Sequence, residues 1–193
     1  SEDGGAISLN GYNTNLQLES CKIYDNHSET SAILYSNNGQ VVFRNTLIKG
    51  NSSNRYPGGL LAKNSNVSLV NITLTDNTVG EPGAGGNINI EQNSNLDLVN
   101  SILWNNDGTE IYLREEISFP KSIRVAYSLL DNGREGIFSS LIDSVYYEDN
   151  ISEDPKFISP EEGFFYITKE SPCVDQGIDF FYGINGEVII DLQ

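Results

Sequence analysis

Basic residues are scarce. The chain carries 11 Lys and Arg against 27 Asp and Glu, a formal net charge of −16. Phosphate backbones and anionic bilayers are held by clustered Lys and Arg, so this balance argues against nucleic acid and against a membrane surface as partners. Histidine is reduced to His27, so a His-based zinc site or a serine-type triad would rest on one residue. Methionine is absent, and no apolar run reaches the length of a membrane-spanning helix. Cysteine occurs only as Cys21 and Cys173. A disulfide needs Cα atoms within about 7 Å, and the layout below separates the two by about five coils, so two buried free thiols are expected. There is no signal peptide, and the chain opens on Ser1, close to a repeat start; a trimmed piece of a longer protein is expected.

Asn and Gly are plentiful, with 18 Gly, and the hydrophobic fraction is 38%. Both residue types tolerate left-handed backbone, which favours many turns and short strands over long helices. A thin continuous core suits the low apolar content. The acidity is uneven: residues 1–134 hold 14 acids and 9 bases, whereas residues 135–193 hold 13 acids and 2 bases.

The main signal is internal repetition. The segment Leu16-Gln-Leu18-Glu-Ser-Cys21-Lys-Ile23-Tyr-Asp-Asn26 recurs from Val41, Val67, Leu96 and Ile123, at successive offsets of 25, 26, 29 and 27 residues. Each copy reads apolar, any, apolar, two residues, small or apolar, any, apolar, with Asn closing the first four. Alternation with period two is a strand pattern, and the two-residue breaks mark corners. A second strand precedes each copy, as in Gly4-Gly5-Ala6-Ile7, Ser31-Ala32-Ile33 and Gly85-Gly86-Asn87-Ile88. The spacing predicts an all-β solenoid, a right-handed parallel β-helix of about five to six coils over residues 1–134. Residues 135–193 then supply an irregular last rung and a C-terminal capping segment.

Stacked coils place Leu16, Val41, Val67, Leu96 and Ile123 in one column and Leu18, Phe43, Leu69, Leu98 and Val125 in a second. Ile23, Ile48, Leu74, Leu103 and Leu130 form a third, and Cys21, Thr46, Ile72, Ser101 and Ser128 a small-residue column. Asn26, Asn51, Asn77 and Asn106 form an amide ladder that Gly133 breaks. Asn95 is expected to face outward, and Lys63 to interrupt a strand column of Leu9, Tyr35, Ile90 and Leu113.

The Gly-Gly-Ala-Ile opening and the Asn closing each coil resemble the repeats of bacterial polymorphic outer-membrane and related surface β-helix proteins. The later run of Ser101-Ile-Leu-Trp-Asn-Asn106, Val125-Ala-Tyr-Ser128, Asp154-Pro-Lys-Phe157 and Ser171-Pro-Cys-Val-Asp175-Gln-Gly177 is similar to the end of the repeat region in large secreted bacterial proteins of the pectate-lyase-like superfamily. The resemblance implies the β-helix fold and secretion to the cell surface or exterior. That superfamily spans lyases, hydrolases and adhesins, so it leaves the activity open.

Lyases of this kind use Ca²⁺ and an Arg or Lys base. The mixed cluster of Arg114, Glu115, Glu116 and Arg124 is the catalytic candidate, against the plainer reading of a surface ion-pair set. Hydrolases of this kind use paired Asp on adjacent coils; Asp25 and Asp76 occupy equivalent turns two rungs apart, with Gly50 between them, against the plainer reading of ordinary turn chemistry. Tyr24, Tyr35, Trp104, Tyr112 and Tyr127 lie on or near strands, and those among them that face outward are candidates for sugar stacking. Glu148, Asp149, Glu153 and Asp154 are calcium candidates, as carboxylates in loops suit a hard cation; no other cofactor is expected. The leading expectation is a non-catalytic extracellular stalk, adhesin or self-assembling filament-type subunit. The alternative is a carbohydrate-active or carbohydrate-binding β-helix. The expected partners are further coils of the parent chain or other copies stacking on coil one, with polysaccharide as a further candidate.

Overall fold

A computed structural model describes residues 4–55, 59–80, 86–114, 122–139 and 144–191. Its strands stack in parallel, each coil on the last, into a solenoid. The first wall runs through 7–10, 34–37, Leu60–Lys63, Gly86–Glu91, Thr109–Leu113 and Ile137–Ser139. The second runs through 14–19, 40–44, Asn66–Val70, Asn95–Val99, Ser122–Ala126 and Val145–Glu148. The third stacks Lys22–Tyr24, Leu47–Lys49, Thr73–Thr75, Ile102–Trp104 and Leu129–Leu130, with Ile151 bridging Leu129 beyond them. A short fourth wall joins His27–Ser28, Ser52–Ser53 and Thr78–Val79.

The apolar columns stack in the expected register. Leu16, Val41, Val67, Leu96 and Ile123 lie side by side, and so do Leu18, Phe43, Leu69, Leu98 and Val125. The Ile23 to Leu130 column closes the core from the third wall. From coil two onward nearly all of these side chains are fully buried, and each burial contributes about 1.5–3 kcal/mol. Coils supply this cover to each other, so a lone coil has no core.

Corners explain the Asn content. Between the second and third walls, Ser20, Asn45, Asn71, Asn100, Tyr127 and Asp149 all have positive φ, between 49° and 54°. After the third wall Asp25, Gly50, Asp76, Asn105 and Asn132 repeat this. Asn and Asp visit the left-handed region at less cost than other L-residues.

The first wall departs from the sequence reading by one residue. Leu9 pairs with Ser36, then Ala62, Ile90 and Leu113, whereas Tyr35 pairs with Leu61, Asn89 and Tyr112. Tyr35 therefore faces outward. Lys63 sits beside Asn37 and Glu91 on that outer surface and interrupts no core column. A one-residue slip flips a strand's faces, and in coils two and three the large apolar Tyr35 and Leu61 lie next to the inward positions rather than on them.

The C-terminal region also differs from the expected arrangement. Residues 137–139 and 145–148 add the irregular rung to the first two walls. Two antiparallel hairpins follow, Phe157–Ser159 with Phe164–Ile167 and Phe180–Tyr182 with Val188–Asp191. Instead of covering the last coil, they run back along the solenoid's flank: Phe165 lies under Lys49, and Ile189 and Ile190 pack against Val70 and Val99. Cys21 and Cys173 are free thiols, but both are half-buried rather than enclosed.

Candidate functional site

Three polar ladders run along the solenoid axis. In the Asn ladder, the backbone amide and Nδ2 of Asn26 both donate to Asn51 Oδ1, at 3.1 and 2.9 Å. Asn51 donates likewise to Asn77 Oδ1, both at 2.9 Å, and Asn77 to Asn106 Oδ1, both at 3.0 Å. Asn51 and Asn77 are wholly inaccessible. The small-residue column carries a second ladder: the amides of Ile72, Ser101 and Ser128 donate to Ser101 Oγ, Ser128 Oγ and Asn150 Oδ1. In the third, Gly39 and Ser65 amides donate to Ser65 Oγ and Ser94 Oγ. Asn95 also bonds along the axis, donating to Asn66 Oδ1 at 3.0 Å and accepting from the Ser122 amide at 3.1 Å. It is thus no idle surface residue.

The Asn ladder ends on a carboxyl group. Asn106 Nδ2 donates to Glu110 at 3.0 Å, and Glu110 is 1% exposed. Burial pushes its pKa up to about 8, the Asn106 bond opposes this, and nearby Asp131 adds to the rise. Glu110 is therefore a neutral acid at pH 7 and fills the place of a further amide.

The outer face of the first wall gathers charge and aromatic surface. Glu91 is 3% exposed, and its two oxygens lie 3.4 Å from Lys63 Nζ and 3.2 Å from Arg114. The Lys63 ammonium also lies over the Tyr35 ring. Next to Arg114 on the same strand face, Tyr112 stacks on Phe138 with centroids 5.0 Å apart and planes 7° apart, and Phe138 is exposed.

The sequence candidates divide between surfaces. Arg114 belongs to the Glu91 cluster. Arg124 lies on the second wall, where it donates to the Tyr182 carbonyl at 2.9 Å and lies beside Tyr146 and Phe181. Arg114 and Arg124 thus belong to different walls, and Glu115 and Glu116 lie outside the described residues. Asp25 and Asp76 are left-handed corner residues, and Asn105 Nδ2 donates to Asp76 at 2.7 Å. Tyr24 is exposed, Trp104 is half-buried facing outward, and Tyr127 packs edge-on against Phe181.

Glu148, Asp149, Glu153 and Asp154 are exposed. Asp154 accepts the Lys156 amide at 2.8 Å, and Asp149 hydrogen-bonds with Tyr127. Among the described residues no three carboxylate, thiol or imidazole side chains converge as a metal ion would require. The half-buried Cys173 thiol is pushed up in pKa by desolvation, which disfavours a reactive thiolate.

Three residues that sequence reasoning missed organise these surfaces: Glu91, Glu110 and Asp97. Asp97 is 3% exposed and accepts the Ile184 amide at 3.1 and 3.0 Å. Burial raises its pKa to about 6, against the Ile184 bond and Arg124, while Glu187 adds to the rise. Alternation marks Asp97 as outward and therefore solvated, and only the returning hairpin reverses that. No described helix is long and apolar enough to cross a membrane.

The family model for the right-handed beta helix region matches residues 5–176 of the chain. No curated protein and no solved structure matches it.

Proposed function

From the premise that the chain belongs to the right-handed β-helix family, we propose that it is a non-catalytic structural module of a bacterial surface or secreted protein. It works outside the cell as a length of stalk or adhesin shaft, and it joins further coils or a second copy through coil one. The observation that carries this reading is the state of that coil. Ile7, Leu9, Leu16 and Leu18 are only partly buried, while their counterparts in the next coils are almost fully enclosed. Among the described residues the strand Ile7–Glu19 pairs on one side only, with Leu34–Arg44. An open strand edge with apolar column ends is a template for another strand.

Two further observations agree with a structural role. Arg114 is engaged with Glu91, and Arg124 holds the Tyr182 carbonyl, so both candidate bases have structural work.

Sedimentation velocity across a concentration series tests the proposal. Association is expected for the wild type and is expected to vanish in Leu16→Lys, whose half-exposed site tolerates the charge, with an unchanged far-ultraviolet spectrum. A wild type that stays monomeric throughout would count against the joining of a second copy through coil one.

A carbohydrate-binding or carbohydrate-active role is the second reading. It is favoured by the exposed Tyr112–Phe138 stack beside Lys63, Glu91 and Arg114, since aromatic faces and charged groups together suit sugar rings. Binding or turnover of a uronate-containing polysaccharide, lost in Tyr112→Ala or Arg114→Ala, would move the assignment to this reading.

A further inference from the structure

The C-terminal hairpin is fastened to the flank in a way that differs from every joint inside the solenoid. Coils are joined by ladders of strand hydrogen bonds and by one continuous core. Among the described residues the hairpin forms no sheet with the coils, and its two strands pair only with each other. It is held by side chains of the second wall and the following corner that reach its main chain. Arg44 donates to the Ile189 carbonyl at 2.5 Å and Arg124 to that of Tyr182 at 2.9 Å. Asn100 donates to the Ile178 carbonyl at 2.7 Å and accepts the Ile178 amide at 2.9 Å. Asp97 accepts the Ile184 amide.

The fully buried apolar part of this joint is small: Val70 and Val99 from the wall, Ile189 and Ile190 from the hairpin. Clefts flank it, one of about 260 Å³ lined by Asn71, Tyr127, Cys173 and Gln176, and one of about 420 Å³ lined by Gln40, Asn66, Asn185 and Glu187. Arg124 Nε is buried there without a hydrogen-bond partner.

We propose that residues 178–191 are a releasable strap, which undocks from the flank as a unit while the coils stay folded, and whose docking weakens as pH rises. Few buried apolar contacts and anchors made largely by polar side chains characterise segments that open below the global unfolding free energy. Release bares a strip of Arg44, Val70, Asp97, Val99 and Arg124 along one flank. That strip suits an extended acidic and aromatic segment, the chemistry of the strap itself.

The pH dependence follows from Asp97. The charged groups facing it are Arg124 on the neighbouring strand and Glu187 on the strap, while its other strand neighbour is the neutral Ser68. Docked, the carboxyl titrates near 6; undocked, it returns to an ordinary value near 3.8. Because the docked value is the higher one, docking is tightest below pH 3.8 and weakens until the docked group has ionised. Between pH 4 and pH 7 the opening constant rises roughly 50-fold.

Amide hydrogen exchange resolved by residue, corrected for the intrinsic pH dependence of exchange, tests this on the whole chain. Strap amides such as Ile184 are expected to lose roughly 50-fold in protection from pH 4 to pH 7, and to stay less protected than Leu98 and Leu103 at both. Asp97→Asn keeps an oxygen acceptor and is expected to flatten the strap's profile. Strap amides that exchange with the same opening free energy as Leu98 and Leu103, a flat wild-type profile, or an Asp97→Asn profile as steep as the wild type would each overturn the proposal.

Discussion

Glu110→Gln is expected to be the more stable protein at neutral and alkaline pH, by about 3 kcal/mol at pH 7 and about 5 kcal/mol at pH 9. The native Glu110 carboxyl titrates near 8, and in the unfolded chain it titrates near 4.5. The folded state therefore holds the proton more tightly. Its stabilising contribution is complete below pH 4.5 and is lost as pH rises through 8, where the native state must either carry a buried carboxylate or unfold. Gln has nearly the same shape and accepts Asn106 Nδ2 through Oε1, but it has no proton to lose. The two proteins are expected to agree within about 1 kcal/mol near pH 4, where both side chains are neutral. Denaturant melts at pH 4, 7 and 9 measure the difference. Parallel pH profiles for the two proteins would show that Glu110 is not a neutral acid in the folded state. The remaining wild-type slope between pH 4 and 6 belongs in part to Asp97.

Much of this architecture can be read in the sequence because a solenoid writes each interaction several times. The second and third walls recur at offsets of 25 to 29 residues with an Asn closing each of the first four copies, and the stacking follows that alignment residue by residue. The first wall also ends on left-handed corner residues, Asn38, Asn64 and Gln92, but its inward positions are the weaker core formers. Ser36 and Ala62 are small and polar or near-neutral, while Tyr35 and Leu61 beside them look like better core residues, so the alternation alone selects the wrong face. Fully buried neighbours decide the matter: Ser36 Oγ lies 3.0 Å from Ser65 Oγ, inside the coil.

The carboxylates are illegible for a different reason. Asp97, Glu91 and Glu110 stand beside apolar residues of their strands, at positions where charge ordinarily means solvent. Their burial arises from tertiary partners: Ile184 lies 87 residues from Asp97, and Lys63 and Arg114 come from neighbouring coils. The strap leaves no local mark either, because its binding to Asn100 spans 78 residues and its own strands read like any short hairpin. What the repeat specifies is therefore the shaft, and the features that vary along it come from residues used once.

Asn77→Asp is expected to cost about 3–5 kcal/mol at pH 8, more than the about 1–3 kcal/mol expected for Asn77→Ala. Asn77 is wholly buried. Its Nδ2 donates to the carbonyls of Ile48 and Thr75, at 3.3 and 3.0 Å, and to Asn106 Oδ1 at 3.0 Å, while its Oδ1 accepts twice from Asn51. Alanine removes both roles but brings no charge, and it strands one donor rung and one acceptor rung. Aspartate keeps the acceptor for Asn51, but it turns a second oxygen toward three oxygens that had shared the two N–H donors of Nδ2. An ionised carboxylate in that position is buried, unpaired and opposed by every neighbour on one side. Protonation supplies one O–H donor, so the penalty of the Asp variant should shrink as the pH is lowered toward 4, whereas that of the Ala variant should not. Asn15 is the suitable control, since it is exposed and its strand neighbour Gln40 is exposed too; Asn15→Asp is expected to change stability by less than about 0.5 kcal/mol. Asn95 would mislead as a control because it bonds to Asn66 and Ser122. If Asn77→Asp and Asn77→Ala lose equal stability at pH 8, or if the Asp variant shows no recovery in acid, the amide column is not the desolvated ladder described above.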